Sequence, residues 1–315
     1  MRKLLLFALI ATTISATAQD STVQSLQKDA SREIKRDAAD TIPMVWRKGG
    51  IFNLNISQGS LSNWAAGGDD YSLSLNTLLS LYAFYKKDRH AWDNTLDFNY
   101  GFVRTTSLGN RKNDDRFDLF SKYGYALSSK WNLAVLGNFR TQFFKGYTYD
   151  NSAQTFVSDF LAPGYLLLGL GLDFKPTQNF SVYLSPLTER WTFVNNDTLS
   201  SKGTYGVEPG KKVRSELGAF VSVSYLKAFS KVVAYKGRLD LFSNYQHNPQ
   251  NIDVYMTNLL SINFAKVLAV TWNVDLIYDD DVRMFGATKT SPALQLKSLL
   301  GVGLLVKFGT LKRAQ

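Results

Sequence analysis

Apolar and polar residues alternate along most of the chain between Gly50 and Phe308. A period of two is the signature of β-strands, whose successive side chains point to opposite faces. In the segment 91–104, Trp92, Asn94, Leu96, Phe98, Tyr100 and Phe102 share one face, apolar except for Asn94. Asp93, Thr95, Asp97, Asn99, Gly101 and Val103 share the other. The segment 293–308 repeats the pattern, with Leu294, Leu296, Ser298, Leu300, Val302, Leu304, Val306 and Phe308 against Gln295, Lys297, Leu299, Gly301, Gly303, Leu305 and Lys307. Twelve such strands are predicted, over 50–58, 71–85, 91–104, 115–127, 131–145, 161–174, 179–194, 212–227, 232–246, 252–264, 267–278 and 293–308. Pro186 removes a ladder donor from the seventh, which predicts a bulge that switches the alternation phase there.

The connections predict how these strands assemble. Short links (86–90, 128–130, 175–179, 228–231, 265–266) alternate with mostly longer ones (59–70, 105–114, 146–160, 195–211, 247–251, 279–292). Membrane barrels have an even strand number, short periplasmic turns and longer external loops. The predicted fold class is therefore all-β: a transmembrane, antiparallel, up-and-down barrel of about twelve strands over residues 46–308, with both termini periplasmic. The competing reading is a soluble sandwich or lipocalin-like barrel, which would bury its apolar face inward. Aromatic residues near strand ends (Trp92, Phe102, Phe117, Trp131, Phe143, Phe174, Phe180, Trp272, Tyr278, Phe308), charges on the inferred inner face and the length of the chain favour the membrane.

Composition sharpens this picture. No run of about 18 apolar residues occurs after the N-terminus, which excludes a helical span. Arg2 and Lys3, the apolar stretch 4–14 and Ala16-Thr17-Ala18 form a secretory signal, so 1–18 is read as a cleaved peptide. Residues 19–45 are polar and mixed in charge, a periplasmic tether or short helix, and 309–315 form a tail. There is no cysteine, so an exported chain of this kind relies on its hydrogen-bond ladder. Formal net charge is +10, and loss of Arg2 and Lys3 with the signal leaves +8. The basic residues form no stripe or nucleic-acid motif, so nucleic acid is not an expected partner; anionic headgroups of outer-membrane lipids are.

The inner-face charges are the first candidates for function. Asp93, Asp97, Asp118, Lys122, Arg140, Asp173, Arg214, Glu216, Lys236, Arg238, Asp240 and Asp275 all project inward in this register. Buried charges must be paired or wet. The near balance of signs favours a structural salt-bridge network over a ring that selects solute charge. Outside the barrel, Asn63 and Trp64 sit in a Gly-Gly loop expected to form a lid over the mouth, with ligand contact by Trp64 the minority reading. Acidic groups recur at external strand ends: Asp69-Asp70, Asp114-Asp115 and Asp279-Asp280-Asp281. Such carboxylates can hold calcium; a solvated rim paired with Arg111, Lys112, Arg116 and Arg283 is the favoured alternative. His247, near Ser243, is the sole histidine placed for base catalysis at the external end, and nothing else in the sequence completes a nucleophile set. No phosphate loop, zinc spacing or G-x-S-x-G occurs, so catalytic residues, cofactors and metals are not assigned and the chain is not expected to be an enzyme.

Several unusual strings carry a resemblance: Leu61-Ser62-Asn63-Trp64-Ala65-Ala66-Gly67-Gly68, Trp92-Asp93-Asn94, Arg111-Lys112-Asn113-Asp114-Asp115-Arg116, Gln142-Phe143-Phe144-Lys145-Gly146-Tyr147, Ala162-Pro163-Gly164-Tyr165, Leu184-Ser185-Pro186-Leu187-Thr188 and Ile277-Tyr278-Asp279-Asp280-Asp281. Spanning roughly 45 to 308, they make the chain resemble a Bacteroidota outer-membrane β-barrel family known only as a domain of unknown function. The resemblance implies outer-membrane location and a barrel, and no mechanism. Outer-membrane barrels often end on an aromatic residue read by the insertion machinery; here Phe308 ends the last strand but seven residues follow. The functional expectation is a pore or binding protein for a small solute. The alternatives are a non-transporting scaffold for a surface ligand or periplasmic partner and, third, a lipid-modifying enzyme.

Overall fold

The computed structural model describes residues 45–62, 69–150, 153–177, 179–230, 232–265, 267–283, 285–286, 288 and 291–309. The signal segment, the tether up to residue 44, Asn63, Trp64 and the tail from 310 lie outside the described residues.

The described residues form fourteen strands: β1 (Trp46–Ser60), β2 (Tyr71–Lys87), β3 (His90–Thr105), β4 (Gly109–Ala126), β5 (Trp131–Thr141), β6 (Gly146–Asp150), β7 (Ala153–Ser158), β8 (Gly164–Thr177), β9 (Phe180–Phe193), β10 (Val213–Ala228), β11 (Val233–Asn244), β12 (Ile252–Asn263), β13 (Leu268–Tyr278) and β14 (Gln295–Gly309). Twelve of them close a barrel, each antiparallel to its neighbours, and β6 and β7 form a separate hairpin. β1 meets β14 from Gly49↔Gly309 to Asn55↔Gly303, so the barrel sheet closes without an edge strand. The predicted all-β class, strand number and strand order hold.

Three departures concern connections. The segment 105–114, expected as a long loop, is a tight reversal: β3 and β4 pair out to Thr105↔Gly109. Gly109 takes φ +64°, which side-chain-bearing residues adopt at a cost, and so ends the hairpin without a longer loop. The short–long alternation of connections therefore breaks at this point. The fifth predicted strand, 131–145, stops at Thr141, and the sixth starts at Gly164 rather than 161, because the chain between them folds into the β6–β7 hairpin.

The bulge at Pro186 is present. Pairing slips against both neighbours, between Gly218 and Phe220 on β10 and between Leu170 and Leu172 on β8. Before it, Ser181, Tyr183 and Ser185 are buried; after it, Thr188, Arg190 and Thr192 are. A Cβ on Gly171 would stand 2.0 Å from the Leu184 carbonyl oxygen, so this position admits the bulged backbone only as glycine.

The two surfaces of the barrel are reversed relative to a soluble fold. Outward positions carry Leu133, Val135, Leu168, Leu170, Leu300 and Val302, with Leu300 73% exposed. Soluble monomers rarely expose contiguous apolar surface beyond a few hundred Å². Rings gather near both rims. Trp46 lies 6.0 Å from Trp92, and Trp131 4.6 Å from Phe174, at the end carrying the termini. Phe143 lies 5.3 Å from Phe117 and 5.5 Å from Phe160 at the end carrying the loops. Such girdles flank the apolar band of a membrane-spanning barrel. Inward positions instead bury Asp93, Asp118, Lys122, Asp173, Glu216, Arg238, Asp240 and Asp275. One apolar cluster, Phe120, Ala134, Leu136, Leu167, Tyr183, Phe220 and Phe242, lines the inside of the β4–β11 wall.

The loop between β9 and β10 is folded rather than open. A one-turn helix, α1 (Asp197–Ser201), is capped by Asn196, whose side chain accepts from the Thr198 and Leu199 amides. Ala162, Val194, Leu199 and Val207 form a small core beneath it, packed by Phe156 from β7 and by Tyr205. The Tyr205 hydroxyl donates to the Val157 carbonyl at 2.5 Å. This unit walls one side of the loop-end mouth.

Candidate functional site

Among the described residues the lumen holds a chamber of about 680 Å³ that reaches the terminal ends of β8–β11, and one of about 600 Å³ lined from the loop ends of β5, β8 and β13. Asn113, Asp114 and Arg116 border both, so the chambers abut at that level. On β1, β2 and β12–β14 the terminal-end chamber presents uncharged groups, among them Asn53, Asn55, Asn76, Ser261, Thr271 and Asn273.

A layer of ion pairs, the septum, lies where the chambers meet. Arg238 holds Asp240 at 2.6 Å and reaches Asp118 at 3.8 Å. Arg140 lies 3.5 Å from Asp118 and 3.6 Å from Asp240. Across the lumen Asp275 receives Lys297 at 2.8 Å and Arg116 at 3.1 Å, and Lys297 also holds Asp114 at 3.0 Å. The strand register builds these contacts, since Asp118 directly faces Arg140 and Asp275 faces Lys297. Two guanidiniums also lie on aromatic faces, Arg140 3.7 Å from the Tyr255 centroid and Arg238 4.9 Å from that of Phe120. Four carboxylates thus meet four cations.

A second buried group lies nearer the terminal end. Lys122 binds Asp173 at 2.9 Å, and Lys175 lies 3.4 Å from Asp173 and 3.8 Å from Asp93. Asp173 is 0% exposed. The signs again match, two to two. Lys236 and Asp97 form a looser pair at 3.8 Å, and Asp97 accepts the Ser80 hydroxyl.

The loop-end chamber differs. Glu216, 1% exposed, is gripped by Arg190 at 2.8 Å and by Arg214 at 2.9 Å. Arg190 also binds Asp253 at 2.6 Å, and Arg214 binds Asp281 at 2.7 Å. Asp279 lines the same chamber and has no cationic side chain within ion-pair distance among the described residues. Its Oδ1 accepts the Asp281 amide at 2.9 Å. Burial, followed by the like charges of Asp281 and Glu216, holds the Asp279 carboxyl above the usual carboxylate range despite Arg190.

All twelve inward candidates from the sequence lie on the inner face, distributed over these groups. The sequence reading missed Lys175, Arg190, Asp253 and Lys297 as network members and put Asp114 and Arg116 on the external rim. Arg116 and Asp114 are lumenal because β4 keeps its alternation through Asp118, with Asn113 taken up by a bulge opposite Gly101 and Phe102. Arg190 becomes inward only after the phase switch at Pro186. Lys175 and Lys297 were legible as the next inward positions along β8 and β14.

The acidic strand ends do not converge. Asp115 is held by Lys112 at 2.8 Å and by the Phe143 and Phe144 amides. Asp280 takes Arg283 at 2.9 Å, and Asp69 accepts the Ser107 amide. No group of three or more metal-binding side chains occurs among the described residues. His247 contacts the Asn248 amide at 3.2 Å, and the Ser243 hydroxyl is committed to the Pro249 carbonyl at 2.6 Å, so the two form no relay.

Residues 56–147 match a family described as a protein of unknown function (DUF3078), a narrower span than the 45 to 308 expected from the sequence strings. No curated protein matches the chain. Among solved structures, a NanC porin is similar at 7% identity and TM-score 0.38, over 81% of this chain and 98% of that one. A TodX monoaromatic hydrocarbon channel mutant is similar at 8% identity and TM-score 0.35, over 84% and 89%. A Pseudomonas aeruginosa FadL homologue is similar at 9% identity and TM-score 0.29, over 84% and 87%.

Proposed function

We propose that this chain is an outer-membrane barrel that takes a small solute into its loop-end chamber and passes it toward the periplasm when the septum ion pairs separate. The observation that carries the reading is the septum itself: a charge-matched layer between two chambers within one closed barrel. Each chamber has the size of a small-molecule site, a few hundred to about 1,000 Å³. The apolar exterior fits outer-membrane lipid, and the tight turns on the terminal side fit periplasmic termini. Phe308, close to the end of β14, is the residue the insertion machinery would read.

Planar-bilayer recording of the full-length protein tests this. The wild type is expected to give small, infrequent conductance steps, and the Asp118→Asn/Asp240→Asn variant larger and longer ones. Silence from both, with insertion verified by protease protection, would overturn passage and leave a sealed scaffold that acts through its loops.

A further inference from the structure

Charge matching distinguishes the loop-end chamber from the rest of the lumen. At the septum Asp114, Asp118, Asp240 and Asp275 meet Arg116, Arg140, Arg238 and Lys297. Nearer the terminal end Asp93 and Asp173 meet Lys122 and Lys175. Beside the loop-end chamber Glu216, Asp253 and Asp281 share Arg190 and Arg214, and Asp279 has no ion-pair partner among the described residues, so this group has two more carboxyl groups than guanidiniums. A partly dehydrated carboxylate without a countercharge is costly, so the chamber favours any occupant that brings positive charge. Arg190 offers Asp279 no direct contact, being engaged by Glu216 through Nε and Nη2 and by Asp253 through Nη1.

The same space carries aromatic surface. Tyr165 and Tyr205 line it beside Asp279. The faces of Phe242 and Tyr255, by contrast, are already covered by Arg190 at 4.2 Å and Arg140 at 3.7 Å. Carboxylate together with aromatic rings is the environment that small organic ammonium ions prefer. A divalent metal fits poorly, because it needs several oxygen ligands converging on one point and no cluster of three such side chains is present among the described residues.

We propose that the loop-end chamber binds a small organic cation, a protonated amine, through Asp279 with Asp253 as the second carboxylate. The site deepens the solute-binding reading above, and amine occupancy itself requires no passage. Groups facing Asp279 from the surrounding elements are Tyr165 on β8, Arg190 on β9, Glu216 on β10, Asp253 on β12, Tyr205 in the β9–β10 loop and Asp281 in its own loop. Because deprotonated Asp279 is the binding form, affinity rises with pH through its elevated pKa.

The test is calorimetric titration of the refolded full-length protein in detergent micelles with n-butylammonium chloride at pH 8, with 1-butanol as the uncharged isostere. Saturable binding of the ammonium, at least tenfold tighter than any binding of 1-butanol, is expected. Asp279→Asn should weaken it tenfold or more, and Asp69→Asn, on the outer rim, should leave it unchanged. Folding of each variant is verified by heat-modifiable electrophoretic mobility. Absence of binding by the wild type, equal binding of 1-butanol, or unchanged affinity in folded Asp279→Asn would overturn the proposal. Micelle binding needs no conduction, so a negative titration leaves the passage reading standing, and silent bilayers leave the amine site standing.

Discussion

The septum and the loop-end chamber are built from the same residue types on different strands, β4, β5, β11, β13 and β14 for the first and β9, β10 and β12 for the second, and they hold charge differently. In the septum every carboxylate has its own cation, and two of the guanidiniums also rest on aromatic faces. In the chamber two guanidiniums serve three carboxylates, Glu216, Asp253 and Asp281, and Asp279 is left to the water-accessible space. The lesson concerns what a lumenal charge is for. A matched layer fixes the shape of the lumen, since any departure strands a buried ion. An unmatched group is costly to the empty protein and is offset by something that arrives.

The sharpest way to break this contrast is to remove one buried partner from the matched groups. Asp173→Ala removes the carboxylate that Lys122 and Lys175 share and leaves Asp93, 3.8 Å from Lys175, as the group's remaining anion. Loss of one partner of a buried pair costs about 3–5 kcal/mol, which urea unfolding in micelles would read as a clear fall in the midpoint. An effect below about 1 kcal/mol would mean that this pair is hydrated and not structural. Next in size is the septum. Arg140→Ala removes the guanidinium that bridges Asp118 and Asp240 and covers Tyr255, and is expected to cost about 2–4 kcal/mol. It should also raise bilayer conductance, and stability loss without any change in conductance would detach the septum from gating.

The chamber should respond in the opposite sense. Asp279→Asn removes an unmatched charge while keeping the side-chain shape, so stability at pH 8 should be unchanged or slightly higher, by up to about 1 kcal/mol. The pH dependence follows from the raised carboxyl pKa. The folded state holds this proton more tightly than the unfolded chain. The contribution is therefore full below the unfolded pKa of about 4 and is lost as pH rises through the elevated folded value. Comparing urea midpoints of wild type and Asp279→Asn across pH 4 to 8 would show the wild type losing stability relative to the variant as pH rises; parallel curves would show the carboxyl to be unperturbed. The smallest effect belongs to the uncharged wall of the terminal-end chamber. Asn273→Ser should change stability by less than about 0.5 kcal/mol, because no ion depends on it.

Much of this was legible in the chain. Alternation along 91–104 and 293–308 located the strands, and the charges on one face, with aromatic residues near the strand ends, chose which face turns inward. Pro186 signalled the bulge, because a missing amide must fall where the ladder is interrupted. Lys175 and Lys297 stand at the same inward parity as residues already assigned. What the sequence could not supply was proximity across the lumen. Arg116 and Asp275 are 159 positions apart and meet only because the barrel closes and its strands are staggered. The isolation of Asp279 is likewise invisible along the chain, where it stands in an acidic triplet whose other two members find arginines. The tight β3–β4 reversal was missed because the polar run 111–116 resembles a loop, although Asp114 and Arg116 line the lumen.

The division of the lumen can be tested directly because the chain has no cysteine of its own. Gln295→Cys places a thiol in the loop-end chamber and Leu259→Cys places one in the terminal-end chamber. The measurement is the rate at which a membrane-impermeant methanethiosulfonate added to the external face of intact cells modifies each. A closed septum predicts fast labelling at 295 and labelling at 259 at least tenfold slower, the difference collapsing when Asp118→Asn/Asp240→Asn is added. Equal rates at the two positions with the septum intact would contradict it.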